Sequence, residues 1–121
     1  MKKISVYWHP NCGTCKKAVK YMDDKKISYE LIDLREKAPN KMAISTMLKQ
    51  NYPDAPKRLF NTSGMSYREG GFKDKITQMD QKQMIDALSK DGLLIKRPFI
   101  LLENKKGVVG FKENEWDMLF T

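Results

Sequence analysis

The chain is poor in the residues that build metal centres and disulfide frameworks, since its 121 residues include only two cysteines and one histidine. Zinc needs four ligands, so a zinc site at Cys12, Cys15 and His9 is a minor alternative. No apolar run approaches the roughly 18 residues that a membrane span requires. The chain has the basic start of a signal peptide, but the apolar stretch that follows is broken by Ser5 and ended by His9 and Pro10. We therefore expect a cytoplasmic protein that does not contact a membrane.

The length of the chain predicts one folded domain over residues 1–121, and we expect a monomer. A domain of this size buries roughly two thirds of the surface of its unfolded chain, so it needs no disulfide or metal to fold. A disulfide between cysteines three residues apart closes too short a loop to stabilise the fold much. In the reducing cytoplasm, such a pair is more often catalytic, redox-sensing or metal-binding than structural.

The chain has few acidic residues, with 15 Asp and Glu against 23 Lys and Arg. The resulting net charge is +8. This charge suits anionic partners such as nucleic acid, polyanionic surfaces or a charged thiol. The lysines are spread along the chain in pairs, without a zinc-finger spacing, an RNP-like aromatic pattern or a long basic block. Direct nucleic-acid binding is therefore disfavoured, and a solvated basic surface is the main alternative.

The amino-terminal part of the chain predicts a β-α-β unit. Residues 4–8 are mostly β-branched and aromatic, as in a short buried strand, and Pro10 ends them. Residues 13–24 place apolar side chains at helical spacing among lysines, which indicates an amphipathic helix. Residues 28–34 alternate apolar and polar side chains, so a second strand follows. The interval between the two strands suits a right-handed parallel crossover.

The rest of the chain predicts a helical insertion over about residues 35–94, followed by a β-hairpin and a final helix. Within the insertion, Asn40 and Asp80 are placed to cap helices that run to about Gln50 and Lys90. The other expected elements are a short helix over 57–61, a turn at Gly64, strands over 99–102 and 108–111 joined by a turn over 104–107, and a helix over 114–120 with Trp116, Leu119 and Phe120 on one side.

The most informative segment is Cys12-Gly13-Thr14-Cys15, because it follows a strand and begins a helix. There the unpaired N–H groups and the dipole of the helix stabilise a thiolate at Cys12, the expected nucleophile. Cys15 lies one turn further on the same face and can attack a mixed disulfide on Cys12, which resolves it. Gly13 leaves the approach to the sulfur open. His9 is expected either to lower the pKa of Cys12 or to be an ordinary surface side chain.

A second informative pair precedes the predicted hairpin, where Arg97 is followed by Pro98. A proline just before a strand indicates a fixed peptide, either trans or cis, and it would place Arg97 at the carboxyl end of the sheet, near the start of the first helix. An arginine there can bind an anionic group of a substrate or of a glutathione-like thiol through paired hydrogen bonds. The alternative is an exposed arginine before a turn.

Four segments of the sequence match those of a known family: residues 10–15 (PNCGTC), 58–64 (RLFNTSG) with Tyr67-Arg68, 95–100 (IKRPFI) and 109–111 (VGF). On them the chain resembles, over nearly its full length, the ArsC family of glutaredoxin-related arsenate reductases. That family also contains the Spx redox regulators and the YffB and YusI-like proteins, and the resemblance is nearest to the YffB and YusI-like members. It implies an α/β, thioredoxin-like fold, a four-stranded mixed sheet with a helical insertion between strands 2 and 3.

The resemblance also has implications for the site. It implies Cys12 as the nucleophile and a cis peptide bond between Arg97 and Pro98. Arsenate reductases of this family are similar at Cys12 and Arg97 but carry two further arginines, where this sequence has Asn61 and Gly110, so efficient capture of an oxyanion is disfavoured. Asn61 is expected, with Gly13, Thr14, Pro98 and His9, to support the site or bind substrate.

The interpretation is a cytoplasmic thiol-disulfide oxidoreductase of this family, in which Cys12 attacks, Cys15 resolves and Arg97 positions an anionic partner. The expected substrates are thiols or disulfides. We expect no metal and no tightly bound cofactor; glutathione or another low-molecular-weight thiol is the candidate co-substrate, and a thioredoxin-type protein the candidate reductant. The alternative is an Spx-like redox-sensing regulator, in which the disulfide changes a surface that binds RNA polymerase.

Overall fold

A mixed four-stranded sheet forms the centre of the structure, a computed structural model that describes residues 4–102 and 106–119. The strand order is β2-β1-β3-β4, in which β1 pairs in parallel with β2 and the other pairs are antiparallel. This is the α/β, thioredoxin-like architecture that the family resemblance implies. The strands are β1 (Ile4–Trp8), β2 (Tyr29–Asp33), β3 (Phe99–Leu101) and β4 (Gly107–Val109).

Helices follow β1, fill the long interval between β2 and β3, and end the described chain. Seven helical elements lie in that interval, which is the predicted insertion. The α-helices are α1 (Gly13–Asp24), α2 (Lys41–Asn51), α3 (Met65–Glu69), α4 (Phe72–Lys75), α5 (Gln81–Lys90) and α6 (Glu113–Leu119), and short 3₁₀ helices span Pro56–Leu59, Ile76–Gln78 and Gly92–Leu94.

The amino-terminal β-α-β unit positions the cysteine motif. The observed bounds of β1 and α1 agree with the prediction, and β2 is one residue shorter at each end than the expected 28–34. The register places Trp8 of β1 opposite Asp33 of β2. The carboxyl ends of these two parallel strands therefore meet at the edge of the sheet where Cys12 begins α1.

The predicted hairpin is present but shorter than expected. β3 ends at Leu101, and β4 covers 107–109 instead of 108–111. Gly110 ends β4 because its φ of 77° lies in the left-handed region, which glycine adopts without strain. Its N–H donates to the carbonyl of Pro98 at 2.9 Å, which closes the base of the hairpin. Residues 104 and 105 of the turn predicted over 104–107 lie outside the described residues, and Gly107 begins β4.

The insertion contains two short helices, α3 and α4, that were not predicted from the sequence. The expected turn at Gly64 is the N-cap of α3. The helix expected over 57–61 is a 3₁₀ helix that begins one residue earlier and ends two residues earlier, at Leu59. Helices of four or five residues are marginal alone, so they depend on tertiary contacts. Those contacts are aromatic: the ring of Phe60 lies 6.2 Å from that of Tyr67 and 5.8 Å from that of Phe72.

Apolar side chains form two core clusters, and adjacent residues of β1 belong to different clusters. Tyr7 belongs to the cluster formed with the insertion, and Val6 belongs to the cluster formed with α1 and α6. Alternation along a strand sends successive side chains to opposite faces, so the two clusters cover the two faces of the sheet. The helix predicted over 114–120 buries Trp116 in the second cluster, whereas the side chains of Leu119 and Phe120 lie outside the described residues.

In the described part of the chain, no helix combines the length and the apolar character needed to cross a membrane.

Candidate redox site

Cys12 occupies the junction between β1 and α1 as the N-cap of the helix. Its sulfur accepts a hydrogen bond from the N–H of Cys15, with an Sγ to N distance of 3.4 Å. Its own N–H donates to the carbonyl of His9 at 3.0 Å, which closes the turn before the helix. The side chain is partly buried, and a Cβ on Gly13 would meet nothing within 4 Å. The sulfur therefore sits at a positive helix end beside open space.

Arg97 acts directly on the Cys12 sulfur. Burial raises the pKa of the Cys12 thiol, but hydrogen bonds from Cys15 and Arg97 and the positive charge of Arg97 outweigh it. The pKa of Cys12 consequently lies below its ordinary value, and the thiolate is favoured. The peptide bond between Arg97 and Pro98 is cis, in agreement with the resemblance, and Pro98 is buried.

Cys15 has the opposite character, although it is only three residues away. Its side chain is fully buried, and burial raises the pKa of its thiol to about 12, to which the hydrogen bond with Cys12 contributes. A hydrogen bond from the backbone N–H of His9 opposes this rise. Cys15 is therefore a neutral thiol at physiological pH, and its S–H donates to the Cys12 sulfur. The same segment therefore lowers the pKa of one thiol and raises that of the other.

His9 shapes the turn that carries Cys12. Its Nδ1 accepts a hydrogen bond from the N–H of Asn11 at 3.0 Å. Burial and the nearby cations Arg97 and Arg35 lower the pKa of its imidazole, which therefore stays neutral. The geometry thus gives His9 a supporting place in the turn.

A charged pair beside the site was not found from the sequence. Arg35 binds Asp33 through two nitrogens, with the shortest N to O distance at 2.7 Å. The side-chain and backbone hydrogen bonds of Arg35 lower the pKa of Asp33 to about 2, and both residues act electrostatically on His9. The signal was available, because Asp33 ends the strand parallel to β1, and carboxyl ends of neighbouring parallel strands share one edge of a sheet.

The remaining predicted residues are placed as follows. Thr14 is exposed in the first turn of α1. The N–H of Asn61 donates to the carbonyl of Leu94 at 2.7 Å, so Asn61 lies beside the segment that leads to Arg97. Within the described residues, no hydrogen bond joins Asn61 to Arg97 or to either cysteine. The structure therefore brings together both cysteines, Arg97, Pro98 and His9, and sets Asn61 in a neighbouring segment.

No metal centre accompanies the two thiols in the ranges 4–102 and 106–119. Those ranges contain no group of three or more His, Cys, Asp or Glu side chains that could hold a metal ion. The chemistry that the arrangement supports is thiol exchange, since it combines a stabilised thiolate, a second thiol within reach and a cation that attracts an anionic partner.

Comparison with known proteins places this site in a family. A family model described as the ArsC family matches residues 7–119. The YusI protein of Bacillus subtilis is 37% identical over 114 residues, which cover 94% of this chain and 95% of that protein. A global transcriptional regulator Spx of Oceanobacillus iheyensis is 22% identical over 112 residues, 93% of this chain and 82% of that protein. The higher identity to YusI agrees with the nearer resemblance inferred from the sequence.

One solved structure shows how far the likeness extends in space. A crystal structure of a possible arsenate reductase from Streptococcus mutans is 34% identical and superposes with a TM-score of 0.84. The superposition covers 97% of this chain and 99% of that one. The element order and the sheet are thus shared over almost the whole length.

Proposed function

Because this chain belongs to the ArsC family, we propose that it is a cytoplasmic thiol-disulfide oxidoreductase with a dithiol centre at Cys12 and Cys15. The observation that carries the proposal is the opposed state of the two thiols. Arg97 and the N–H and S–H of Cys15 lower the pKa of Cys12, while burial keeps Cys15 protonated. A nucleophile and a resolving thiol need this division of roles.

The proposed reaction is a two-electron disulfide reduction. The Cys12 thiolate attacks one sulfur of a substrate disulfide, the substrate S–S bond breaks, and the first thiol leaves as a thiolate that takes up a proton. Cys15 then gives up its proton and attacks the Cys12 sulfur, which releases the second thiol. The protein is left with a Cys12–Cys15 disulfide. A dithiol reductant of the thioredoxin type, or two molecules of a low-molecular-weight thiol such as glutathione, returns it to the dithiol.

The decisive experiment compares the wild type with one variant at each cysteine. With a small mixed disulfide as substrate and a dithiol reductant in excess, we expect turnover by the wild type and none above background by Cys12→Ser. Cys15→Ser should accumulate the mixed disulfide on Cys12, visible as a mass increase equal to the bound thiol. Equal rates for the wild type and Cys12→Ser would refute the proposal. Circular dichroism of each variant separates loss of chemistry from loss of fold.

Arsenate is not the proposed substrate. An arsenate ester on Cys12 would need several cationic donors around its oxygens, and Arg97 is the one residue of the three family arginines that this sequence retains. We expect arsenate reduction by the wild type to be weak or undetectable with either glutathione or a thioredoxin system. Efficient arsenate turnover with either reductant would contradict this statement.

A second candidate function rests on the match to Spx, which covers 93% of this chain. In that case the Cys12–Cys15 disulfide would change a binding surface for RNA polymerase instead of turning over a substrate. Saturable binding to RNA polymerase that differs between the oxidised and the reduced protein, together with no turnover of any disulfide, would favour the regulator. Turnover without such binding would favour the reductase.

A further inference from the structure

A basic cleft lies on the insertion side of the segment that carries Arg97. It has a volume of about 570 Å³ and is lined by cations from three separate parts of the chain. Lys57 and Arg58 come from the first 3₁₀ helix, Lys73 comes from α4, and Lys96 directly precedes Arg97. Side chains 39 residues apart in sequence converge here, so the cleft is a product of the tertiary fold. We call it the basic cleft.

Within residues 4–102 and 106–119, the charges of the basic cleft have no anionic counterpart. Among the described residues that line it there is no Asp or Glu, and none of its four cations forms an ion pair with a described carboxylate. Two of the cations share one aromatic ring, since Arg58 lies 5.1 Å and Lys96 5.9 Å from the centre of Tyr52. Two positive charges that contact the same ring repel one another. A bound anion would remove that repulsion, and hydroxyl and amide groups beside them supply further hydrogen bonds: Asn61, Thr62, Ser63 and Thr77.

The backbone around the basic cleft is held in place before any ligand binds. The N–H of Asn61 donates to Leu94 and the N–H of Lys96 donates to Leu59, both at 2.7 Å. These bonds frame an antiparallel bridge between Phe60 and Ile95. We call these two hydrogen bonds and the bridge the backbone clamp. The backbone clamp fixes the segment with Lys57 and Arg58 against the segment with Lys96. A preformed cationic cleft loses little entropy on binding.

The same clamp joins the basic cleft to the redox centre. Lys96 lines the cleft, and the next residue, Arg97, hydrogen-bonds the Cys12 sulfur. Their Cα atoms are about 3.8 Å apart across one peptide unit. One segment therefore contributes neighbouring residues to the cleft and to the redox centre, and a flexible ligand bound in the cleft would reach Cys12 by extending past Arg97.

We propose that the basic cleft binds the phosphate groups of a phosphorylated low-molecular-weight thiol, of the coenzyme A type, and presents the disulfide of that thiol to Cys12. The inference deepens the proposed function and rests on it for the reductive step. In that step the oxidised thiol, RS–SR, accepts two electrons from Cys12 and Cys15, one proton from the Cys15 thiol and one proton from solvent. Two RSH molecules leave, and the Cys12–Cys15 disulfide remains for a dithiol reductant.

The chemistry of the basic cleft favours phosphate over the ends of a peptide thiol. Glutathione carries an ammonium group as well as carboxylates, and the described lining offers no carboxylate to bind that ammonium. Phosphate groups carry up to two negative charges each and accept several hydrogen bonds, so they match Arg and Lys side chains mixed with hydroxyl groups. The phosphates would supply affinity and position, and the thiol arm would supply the reacting sulfur.

The binding test uses the full chain with Cys12→Ser, so that no covalent product forms. Coenzyme A, dephospho-coenzyme A, pantetheine and inorganic pyrophosphate are titrated by calorimetry at two salt concentrations. We expect affinity to fall in the order coenzyme A, dephospho-coenzyme A, pantetheine, with salt weakening only the phosphorylated compounds. In the Cys12→Ser protein, the further substitutions Lys57→Gln and Lys96→Gln together should weaken coenzyme A binding by about tenfold or more. Adding Lys49→Gln, an exposed lysine outside the cleft, should change it less than about twofold.

Three binding outcomes would overturn the proposal. Pantetheine that binds as tightly as coenzyme A would show that the phosphates are not recognised, as would a Lys57→Gln/Lys96→Gln variant with unchanged affinity. If pyrophosphate binds as tightly as coenzyme A, the thiol arm near Cys12 adds no affinity. That result would assign the cleft to a free phosphate compound. Two-dimensional NMR of the same samples shows whether the arm shifts the resonances of Gly13 and Arg97.

The turnover test uses the protein with both cysteines intact and a dithiol reductant. We expect kcat/KM for the disulfide of coenzyme A to exceed that for pantethine, which lacks phosphate, by at least about tenfold, and the ratio to fall toward one in Lys57→Gln/Lys96→Gln. Equal kcat/KM values in the wild type would refute the cleft proposal and leave the reductase function standing. No turnover of any disulfide would refute the reductase function, while the calorimetry would still report whether the cleft binds phosphate.

Discussion

At the scale of single residues, the site shows how environment divides two chemically identical side chains. Cys12 lies partly exposed at a helix start, where donors from Cys15 and Arg97 face its sulfur. Cys15 lies one turn further, fully buried, with a pKa raised to about 12. The difference arises from position alone, because a helix start stabilises negative charge and a buried site penalises it.

The first prediction concerns the reactivity of the two thiols. In the reduced protein at neutral pH, iodoacetamide should modify Cys12 about a hundredfold faster than Cys15 or more, since only thiolate reacts and Cys15 is both protonated and inaccessible. Peptide mass spectrometry at successive times measures both rates. In denaturant the two rates should become similar, which serves as the control. Faster labelling of Cys15 in the folded protein would reverse the roles of nucleophile and resolving thiol.

The second prediction isolates Arg97. Its hydrogen bond and charge both lower the pKa of Cys12, so Arg97→Gln should move the midpoint of the alkylation pH profile upward and slow alkylation at neutral pH. The fold should be preserved, which far-ultraviolet circular dichroism checks. Arg68→Gln removes the same charge from an exposed position in α3 and should leave the profile in place. An unchanged midpoint in Arg97→Gln would remove Arg97 from the site.

At the scale of elements, polar N-cap side chains specify where two of the helices in this chain begin. Asn40 accepts from the N–H of Ala43 at 2.8 Å and begins α2. Asp80 begins α5 with a reciprocal pair: its carboxylate accepts from the N–H of Gln83, and the Gln83 side chain accepts from the N–H of Asp80. The hydrogen bonds of such caps join residues within one helical turn, so the caps can be predicted from the sequence.

The third prediction tests the cap of α5. Asp80→Ala removes the acceptor for the N–H of Gln83 and should lower the free energy of unfolding by about 1 kcal/mol. Urea unfolding of the reduced protein measures it. Asp80→Ser keeps an oxygen at the N-cap and should recover most of the loss. A variant Asp80→Ala that unfolds at the same urea concentration as the wild type would show that α5 is held by packing alone.

At the scale of the whole molecule, close backbone contacts join the sheet to the end of the insertion. Gly92 packs so tightly that a Cβ there would overlap the carbonyl group of Leu34, just beyond β2. The same segment continues through Leu94 and Lys96 to Arg97, so this contact helps to locate the redox site. Gly13, in the motif itself, has open space where a Cβ would lie.

The fourth prediction compares these two glycines. Gly92→Ala should destabilise the protein by about 1–3 kcal/mol, because backbone must move to admit the methyl group. Gly13→Ala should change stability by less than about 0.5 kcal/mol, or raise it slightly, since alanine favours the helix and meets no neighbour. Thermal or urea unfolding of both variants provides the measurement. A Gly92→Ala protein as stable as the wild type would contradict the close approach to Leu34.

Local pattern was sufficient for much of this protein. The strand Ile4–Trp8, the helix from Gly13 and the capped helices after Asn40 and Asp80 follow from alternation, helical spacing and capping, all of which act over a few residues. The position of Cys12 at a strand-to-helix junction also follows from the sequence. It was the resemblance to a family that extended these pieces to a mixed sheet and a cis bond before Pro98.

What the sequence left undetermined depends on contacts between residues far apart in the chain. Helices α3 and α4 are too short to persist alone and exist because the rings of Phe60, Tyr67 and Phe72 pack together. The pair of Asp33 and Arg35 reaches the site through the register of β1 and β2. The basic cleft likewise forms because a backbone clamp brings residues 57–61 against 94–96. Sequence spacing cannot show these neighbours, since only folding brings them together.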